Sequence, residues 1–123
     1  MSRLLLLDDD VQLLHMYKLV FEHAGHHVDA AATCGEAHLL LREADPEVVI
    51  MDLRVPEMED GLAFLRALKH HKRPLGMPPV KVIVTSGWTE DLPDGAERES
   101  AHRVLPKPVR VTVLLRAIDE LAG

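Results

Sequence analysis

Four short segments of the chain carry residue types that are suited to metal and phosphoryl chemistry. Aspartates fill positions 8–10, a further aspartate stands at 52, Thr-Ser-Gly occupies 85–87, and Leu-Pro-Lys-Pro occupies 105–108. Oxygen-only ligation by carboxylates favours Mg²⁺ or Mn²⁺ over zinc. A lysine offers a point positive charge to a phosphoryl group, and a hydroxyl can donate a hydrogen bond to it. Gathered together, these groups would supply a metal site, a carboxylate nucleophile and two phosphoryl-binding side chains.

Each of these segments follows a short apolar run that is typical of a β-strand. The runs at 3–7, 48–51 and 80–84 are unbroken rather than alternating, and a weaker candidate lies at 103–105. Unbroken runs indicate strands that are buried on both faces, as in a parallel sheet covered by helices. Because the carboxyl ends of parallel strands open on one edge of the sheet, we expect the polar segments to converge there.

Segments with helical spacing of apolar residues alternate with the strand candidates. They lie at 11–24, 37–44, 62–68 and 111–121, and a moderate strand candidate lies at 27–32. Right-handed crossovers then give an open, doubly wound α/β sandwich. The length of 123 residues fits one domain over residues 1–123.

Local signals mark where several helices begin or end. Asp10 and Asp60 are predicted N-caps, and Thr33 with Glu36 forms a capping box. Gly25 is a natural stop for the first helix.

Composition and charge exclude several classes of protein. The formal net charge is -6, whereas proteins that bind nucleic-acid backbones carry a basic surplus. Cys34 is the only cysteine, which excludes an internal disulfide or a Cys-based zinc site. The apolar run at 4–7 is too short for a signal peptide or a membrane span. We therefore expect a soluble, cytoplasmic protein without direct nucleic-acid or membrane contact.

A basic stretch in the second half of the chain has a simple structural interpretation. Its members follow the third helical pattern and are Arg66, Lys69, His70, His71, Lys72 and Arg73. Cations near the carboxyl end of a helix interact favourably with its dipole. We expect this stretch to be the solvated end of that helix.

The four polar segments resemble those of the receiver domain of bacterial two-component response regulators. The matching pieces are LLLLDDD at 4–10, VVIMDLRVP at 48–56, VIVTSG at 82–87 and LPKP at 105–108. The resemblance covers essentially the whole chain. It implies a flavodoxin-like, five-stranded parallel sheet in the order 2-1-3-4-5 with about five helices. Pro93 and Gly95 indicate that the fourth of these helices is short or irregular.

The resemblance also implies a set of metal ligands around the phosphoacceptor. Asp52 would accept the phosphoryl group and contact Mg²⁺ or Mn²⁺ as well. Asp9 would bind the metal directly, and Asp8 would act mainly through a water. The backbone carbonyl of Arg54 would complete the protein ligands.

Further residues would contact the phosphoryl group itself. By the same resemblance Leu53, Ser86 and Lys107 would bind it, and Thr85 would be the switch hydroxyl that moves onto it. The Lys107–Pro108 peptide would be cis, which is plausible because proline follows.

The sequence departs from the usual receiver pattern at three places that bear on signalling. Val104 stands where the family generally has an aromatic residue that rotates with the switch hydroxyl. The loop at 57–61 is one residue longer than is usual for the family. Gly87, at a position that tunes dephosphorylation in this family, has no side chain to orient an attacking water.

The expected function is therefore to receive a phosphoryl group and not to turn over a separate substrate as an enzyme does. The donor would be a phosphohistidine of a sensor histidine kinase or phosphotransfer protein. The output would be an unidentified downstream protein or a fused output domain.

Two alternatives remain open at the level of sequence. One is a small Mg²⁺-dependent phosphohydrolase with an aspartate nucleophile, because Asp8 and Asp10 form an Asp-x-Asp pair after the first strand. Against it, Val11 and Gln12 do not continue the DxDxT pattern of haloacid-dehalogenase-like phosphatases. The other is a receiver-like binding module that is never phosphorylated.

Overall fold

A computed structural model of the protein describes residues 2–87 and 100–122. In these ranges it has five strands and four helices. The strands are β1 (Arg3–Leu7), β2 (His27–Ala31), β3 (Val48–Asp52), β4 (Lys81–Ser86) and β5 (Arg103–Pro106). The helices are α1 (Val11–His23), α2 (Cys34–Ala44), α3 (Met58–His70) and α4 (Val111–Ala122). The predicted short or irregular helix falls at 88–99, outside the described residues.

The strands form one parallel sheet in the order β2-β1-β3-β4-β5, as predicted. Their registers align the strand ends: Leu7 lies opposite Met51, and Asp52 lies opposite Thr85. The carboxyl ends of β1, β3 and β4 therefore reach the same edge of the sheet. This alignment is what places the polar segments next to one another.

Both faces of the sheet are buried, which explains the unbroken apolar runs. Alternate side chains of β1 and β3 point to opposite faces. One face packs with residues of α2 and α3, including Leu41, Phe64 and Leu65. The other packs with residues of α1 and α4, including Phe21 and Leu114. A strand between two helix layers has no solvent-exposed face to fill with polar residues.

The first two helices begin as their capping residues predict. The carboxylate of Asp10 accepts a hydrogen bond from the backbone N–H of Leu13 at 3.1 Å. The hydroxyl of Thr33 accepts one from the N–H of Glu36 at 3.2 Å. Gly25 has a φ of 100° just after α1, a conformation that glycine adopts without strain. No helix within the described part of the chain is long and apolar enough to cross a bilayer.

The third helix begins earlier than predicted, because Asp60 is not its N-cap. Glu57 is the N-cap residue, and Asp60 lies inside the first turn, where its carboxylate accepts from the N–H of Glu57 at 3.3 Å. The early start places Gly61 against the backbone of Leu53, so tightly that a Cβ there would lie 1.8 Å from the Leu53 carbonyl oxygen. A glycine is therefore needed where α3 meets the loop after β3.

Arg73 has a buried side chain, although the basic stretch to which it belongs was predicted to be solvated. Its side chain is only 3% exposed and its guanidinium donates to both carboxylate oxygens of Asp45, at 2.8 and 3.3 Å. A third donor reaches the carbonyl of Pro78 at 2.8 Å. Lys69, His70 and Lys72 are exposed as expected. Arg73 thus joins the end of α2 to the loop before β4.

Candidate functional site

Polar side chains from four separate segments meet at the carboxyl edge of the sheet. Asp8 and Asp9 follow β1, Asp52 ends β3, Thr85 lies near the end of β4, and Lys107 follows β5. Ligand oxygens of the three aspartates all lie within 4.8 Å of one another. The doubly wound topology therefore gathers the residues that the sequence analysis singled out.

Lys107 lies between two of the carboxylates. Its Nζ is 3.0 Å from Oδ2 of Asp8 and 2.9 Å from Oδ2 of Asp52. The Asp8 and Asp52 side chains are only 8% and 12% exposed, so both ion pairs are largely shielded from water. The backbone N–H of Lys107 also donates to the carbonyl of Ser86 at 2.7 Å, which fixes the start of the lysine segment against β4.

Backbone amides orient the remaining oxygens of these two carboxylates. Oδ1 of Asp8 accepts from the N–H of Asp10 at 2.9 Å. Oδ1 of Asp52 accepts from the N–H of Arg54 at 3.2 Å. Both carboxylates therefore have a defined orientation before any ligand binds, which lowers the entropic cost of binding.

The charges in the site do not balance. Burial raises the pKa of the Asp8 carboxyl, and the hydrogen bonds from the Asp10 amide and Lys107 only partly oppose it. Burial acts to lower the pKa of Lys107, but hydrogen bonds and charge interactions with Asp52 and Asp8 outweigh it and raise that pKa overall. Among the described residues, the Lys107 ammonium is paired with two of the three clustered aspartates, and a further cation would relieve the repulsion among the carboxylates.

The donor set fits a hard divalent cation. Asp8, Asp9 and Asp52 offer only oxygen ligands, and Asp9 is exposed, which leaves an open side for water or a phosphate oxygen. Mg²⁺ is bound in this manner, by a few carboxylates together with waters and phosphate oxygens. The carbonyl of Arg54 stays a predicted ligand.

The hydroxyl and the backbone groups predicted to bind a phosphoryl group lie at the same edge. Thr85 is 4% exposed and its Oγ1 donates to the carbonyl of Met51 at 3.4 Å, so the hydroxyl faces inward. Ser86 is buried beside it. Leu53 is buried after β3, in the segment against which Gly61 packs.

Several features near the site can be compared with the predictions made from the sequence. The Lys107–Pro108 peptide is cis, as predicted, and the Val55–Pro56 peptide is also cis, which was not predicted. Gly61 was missed as a site-positioning residue, although a glycine straight after the acidic loop was a visible signal. Val104 is partly buried against the core and provides no ring.

Comparisons with known proteins place the chain among receiver domains. The family model for the response regulator receiver domain matches residues 4–119. Protein PilH of Pseudomonas aeruginosa is 32% identical over 124 residues, covering 100% of both chains. The virulence transcriptional regulatory protein PhoP of Salmonella typhimurium is 34% identical over 100 residues, which is 79% of this chain but 43% of that protein. The chain thus spans less than half the length of PhoP.

A solved structure supports the same assignment of the fold. The CheY-like receiver domain from Methylobacillus flagellatus has a TM-score of 0.81, with 98% of each chain covered and 23% sequence identity. At that level of identity the likeness shows the shared fold.

Proposed function

Because the chain belongs to the response regulator receiver domain family of two-component systems, we propose that Asp52 accepts a phosphoryl group from a phosphohistidine. The observation that supports this most directly is the position of Lys107, whose ammonium contacts both Asp52 and Asp8. The proposal takes residues 1–123 as a single receiver domain whose only reactions are its own phosphorylation and dephosphorylation.

The transfer requires an in-line attack by a carboxylate oxygen of Asp52 on phosphorus. The new O–P bond forms as the P–N bond to the donor imidazole breaks, and the imidazole keeps the electron pair and takes a proton from solvent. A divalent cation held by Asp8, Asp9 and Asp52 would neutralise charge on the phosphoryl oxygens. Lys107 supplies the second positive charge, and the oriented carboxylates supply the positioning.

Phosphorylation changes the partners that Lys107 and Thr85 prefer. Attachment of the phosphoryl group converts the Asp52 carboxylate into an acyl phosphate, a mixed anhydride, so Lys107 gains a stronger acceptor in a phosphoryl oxygen. We expect the hydroxyl of Thr85 to give up its hydrogen bond to the Met51 carbonyl, 3.4 Å away, and to donate to the phosphoryl group instead. These new contacts shift the population toward the conformer that makes them. With Val104 in place of a ring, we expect weaker transmission to the distal face.

The lifetime of the phosphorylated state is set partly by Gly87. Within the described part of the chain, no atom lies within 4 Å of a Cβ placed at this position. Without a polar group there to orient water, we expect slow hydrolysis of the phosphoryl group. A half-life of seconds at neutral pH would contradict this.

The partners follow from the proposed reaction. We propose a sensor histidine kinase or a phosphotransfer protein as donor, and a downstream protein or a fused output domain as target. We further propose that the reaction takes place in the cytoplasm and involves no direct contact with nucleic acid or membrane.

The decisive test is incubation with acetyl phosphate and Mg²⁺ followed by intact-mass measurement. We expect a phosphoryl-sized gain for the wild type and none for Asp52→Asn. Asp10→Asn is the matched control, because asparagine caps a helix as well as aspartate does and Asp10 is not among the proposed ligands. A gain in Asp52→Asn would overturn the assignment of the phosphoacceptor.

Two further measurements separate the alternatives. Turnover of an aryl phosphate that is lost in Asp8→Asn but kept in Asp52→Asn would favour a phosphohydrolase. Failure to bind beryllofluoride with Mg²⁺, together with no mass gain, would favour a module that is never phosphorylated.

A further inference from the structure

A cavity lies at the opposite end of β4 from Thr85. It has a volume of about 320 Å³ and is formed by the end of α3, the start of β4 and the segment before β5. Its apolar wall includes Leu68, Val80 and Val82, and its polar groups include Lys69, His71 and His102. The proposed phosphorylation chemistry uses none of these residues.

The imidazole of His102 is fixed in one tautomer by the backbone of β4. The N–H of Val82 donates to Nδ1 of His102 at 3.0 Å, and the N–H of His102 donates to the Val82 carbonyl at 2.8 Å. A ring nitrogen that accepts a hydrogen bond carries no proton, so the proton of the neutral ring lies on Nε2. His102 thus provides a hydrogen-bond donor at a cavity wall.

Lys69 brings a positive charge to this cavity. None of the described residues that line it is an aspartate or glutamate. Burial lowers the pKa of His102, and the nearby charges of Lys81 and Arg103 lower it further, which favours the neutral ring. The carboxylate of Asp45 has a charge interaction with His71, but both oxygens of Asp45 already accept hydrogen bonds from Arg73.

The dipole of α3 explains the positions of Lys69 and His71 at the cavity but not that of His102. Lys69 lies in the last turn of α3 and His71 is its C-cap, where cations are favourable for the helix itself. His102 belongs to the segment before β5 and is not part of that helix. Helix stabilisation alone therefore does not account for three hydrogen-bond donors around one apolar wall.

We propose that this cavity binds a small organic acid. Its carboxylate would lie against Lys69, His71 and His102, and its apolar body would lie against Leu68 and Val82. The volume of about 320 Å³ is at the lower end of the range for small-molecule sites, which favours a compact ligand. Binding here is independent of the reaction at Asp52.

The probe for the test is hexanoate, added to the full chain labelled with ¹⁵N, with amide shifts followed by NMR. We expect saturable shifts at Val82 and His102 with a Kd on the order of a millimolar. The neutral isostere 1-hexanol and sodium chloride at the same ionic strength should each produce much smaller shifts. Equal binding of hexanol, or no saturable shift at these amides, would overturn the proposal.

A pair of lysine variants distinguishes a built site from general charge attraction. Lys69→Gln removes a cation from the cavity and should weaken hexanoate binding about five-fold, within the range for one partly exposed charge pair. Lys72→Gln removes an exposed cation three residues further on that does not line the cavity, and should change the Kd by less than about two-fold. Equal weakening by both variants would show that hexanoate is attracted by the overall charge of the basic surface and is not bound in the cavity, which contradicts the proposal. Asp52→Asn should bind hexanoate as the wild type does.

Discussion

Two clusters of ion pairs lie at opposite ends of the sheet, and they differ in how their charges balance. At the carboxyl end, the single ammonium of Lys107 is shared by Asp8 and Asp52, with Asp9 close by. Near the amino ends of β3 and β4, the guanidinium of Arg73 binds both oxygens of one carboxylate, Asp45.

This difference distinguishes a structural cluster from the proposed functional one. In the Arg73 pair, one cation is matched by one anion, and a third donor reaches the carbonyl of Pro78. At the carboxyl end, buried negative charge exceeds positive charge, and the folded state tolerates the imbalance. Clusters of perturbed and unpaired charge are typical of functional sites for this reason.

Gly61→Ala should disturb the carboxyl end most severely. The new Cβ would lie 1.8 Å from the Leu53 carbonyl oxygen, so the backbone of the loop after β3 must move. We expect a loss of about 3 kcal/mol of unfolding free energy, at the upper end of overpacking effects, and slower phosphorylation. Urea denaturation and the acetyl phosphate reaction measure the two effects. Gly35→Ala is the control, because its Cβ would have Thr33 as its nearest neighbour at 3.9 Å; a comparable loss there would contradict the explanation.

Arg73→Ala should destabilise the protein while leaving the phosphorylation site functional. It leaves the carboxylate of Asp45 without its partner, and that side chain is 29% exposed. We therefore expect a loss of about 2 kcal/mol, less than the ~3–5 kcal/mol of a fully buried pair. Urea denaturation measures the loss, and the exposed Lys72→Ala is the control. A folded Arg73→Ala variant that no longer accepts a phosphoryl group would break the contrast between the two clusters.

Asp8→Asn should have the opposite effect to Arg73→Ala: it should not destabilise the protein, but it should impair the proposed site. Because burial raises the pKa of Asp8, this group favours folding at pH values below the unfolded pKa, and the benefit is lost as pH rises through the folded pKa. At neutral pH without Mg²⁺ the variant should be at least as stable as the wild type.

The same variant should lose the response to the metal. At ten times the Kd, Mg²⁺ should stabilise the wild type by about 1.4 kcal/mol, and Asp8→Asn should gain far less. Thermal unfolding with and without Mg²⁺ measures both quantities, and Asp10→Asn should keep the wild-type response. An Mg²⁺ effect that survives in Asp8→Asn would remove this residue from the ligand set.

His102 should produce the smallest effect, a pH dependence at the amino end of the sheet. Its pKa is lowered from 6.5, chiefly by burial and then by Lys81 and Arg103. Its contribution to stability is therefore present above pH 6.5 and is lost as pH falls through the lowered folded pKa. Between about pH 7.5 and about pH 5.5, unfolding free energy should fall less steeply in His102→Gln than in the wild type. Identical slopes in urea titrations would contradict this assignment.

Much of the fold was predictable from local signals. Apolar runs identified the three central strands, and capping residues such as Asp10 and Thr33 marked the starts of two helices. The start of α3 was mispredicted because Asp60 is an equally good cap in isolation. Its position inside the first turn depends on the contact between Gly61 and Leu53, which no local pattern contains.

The reactive side chains of the site could be identified from the sequence. They are three early aspartates, a further one at a strand end, a hydroxyl and a lysine, and each follows an apolar run. The balance of charge appears only in the folded chain, where Lys107 is shared between two largely buried carboxylates, whereas Arg73 binds Asp45 and the carbonyl of Pro78. The physical reason is that charge balance and burial arise between segments far apart in the chain, whereas strand and helix signals act over a few residues.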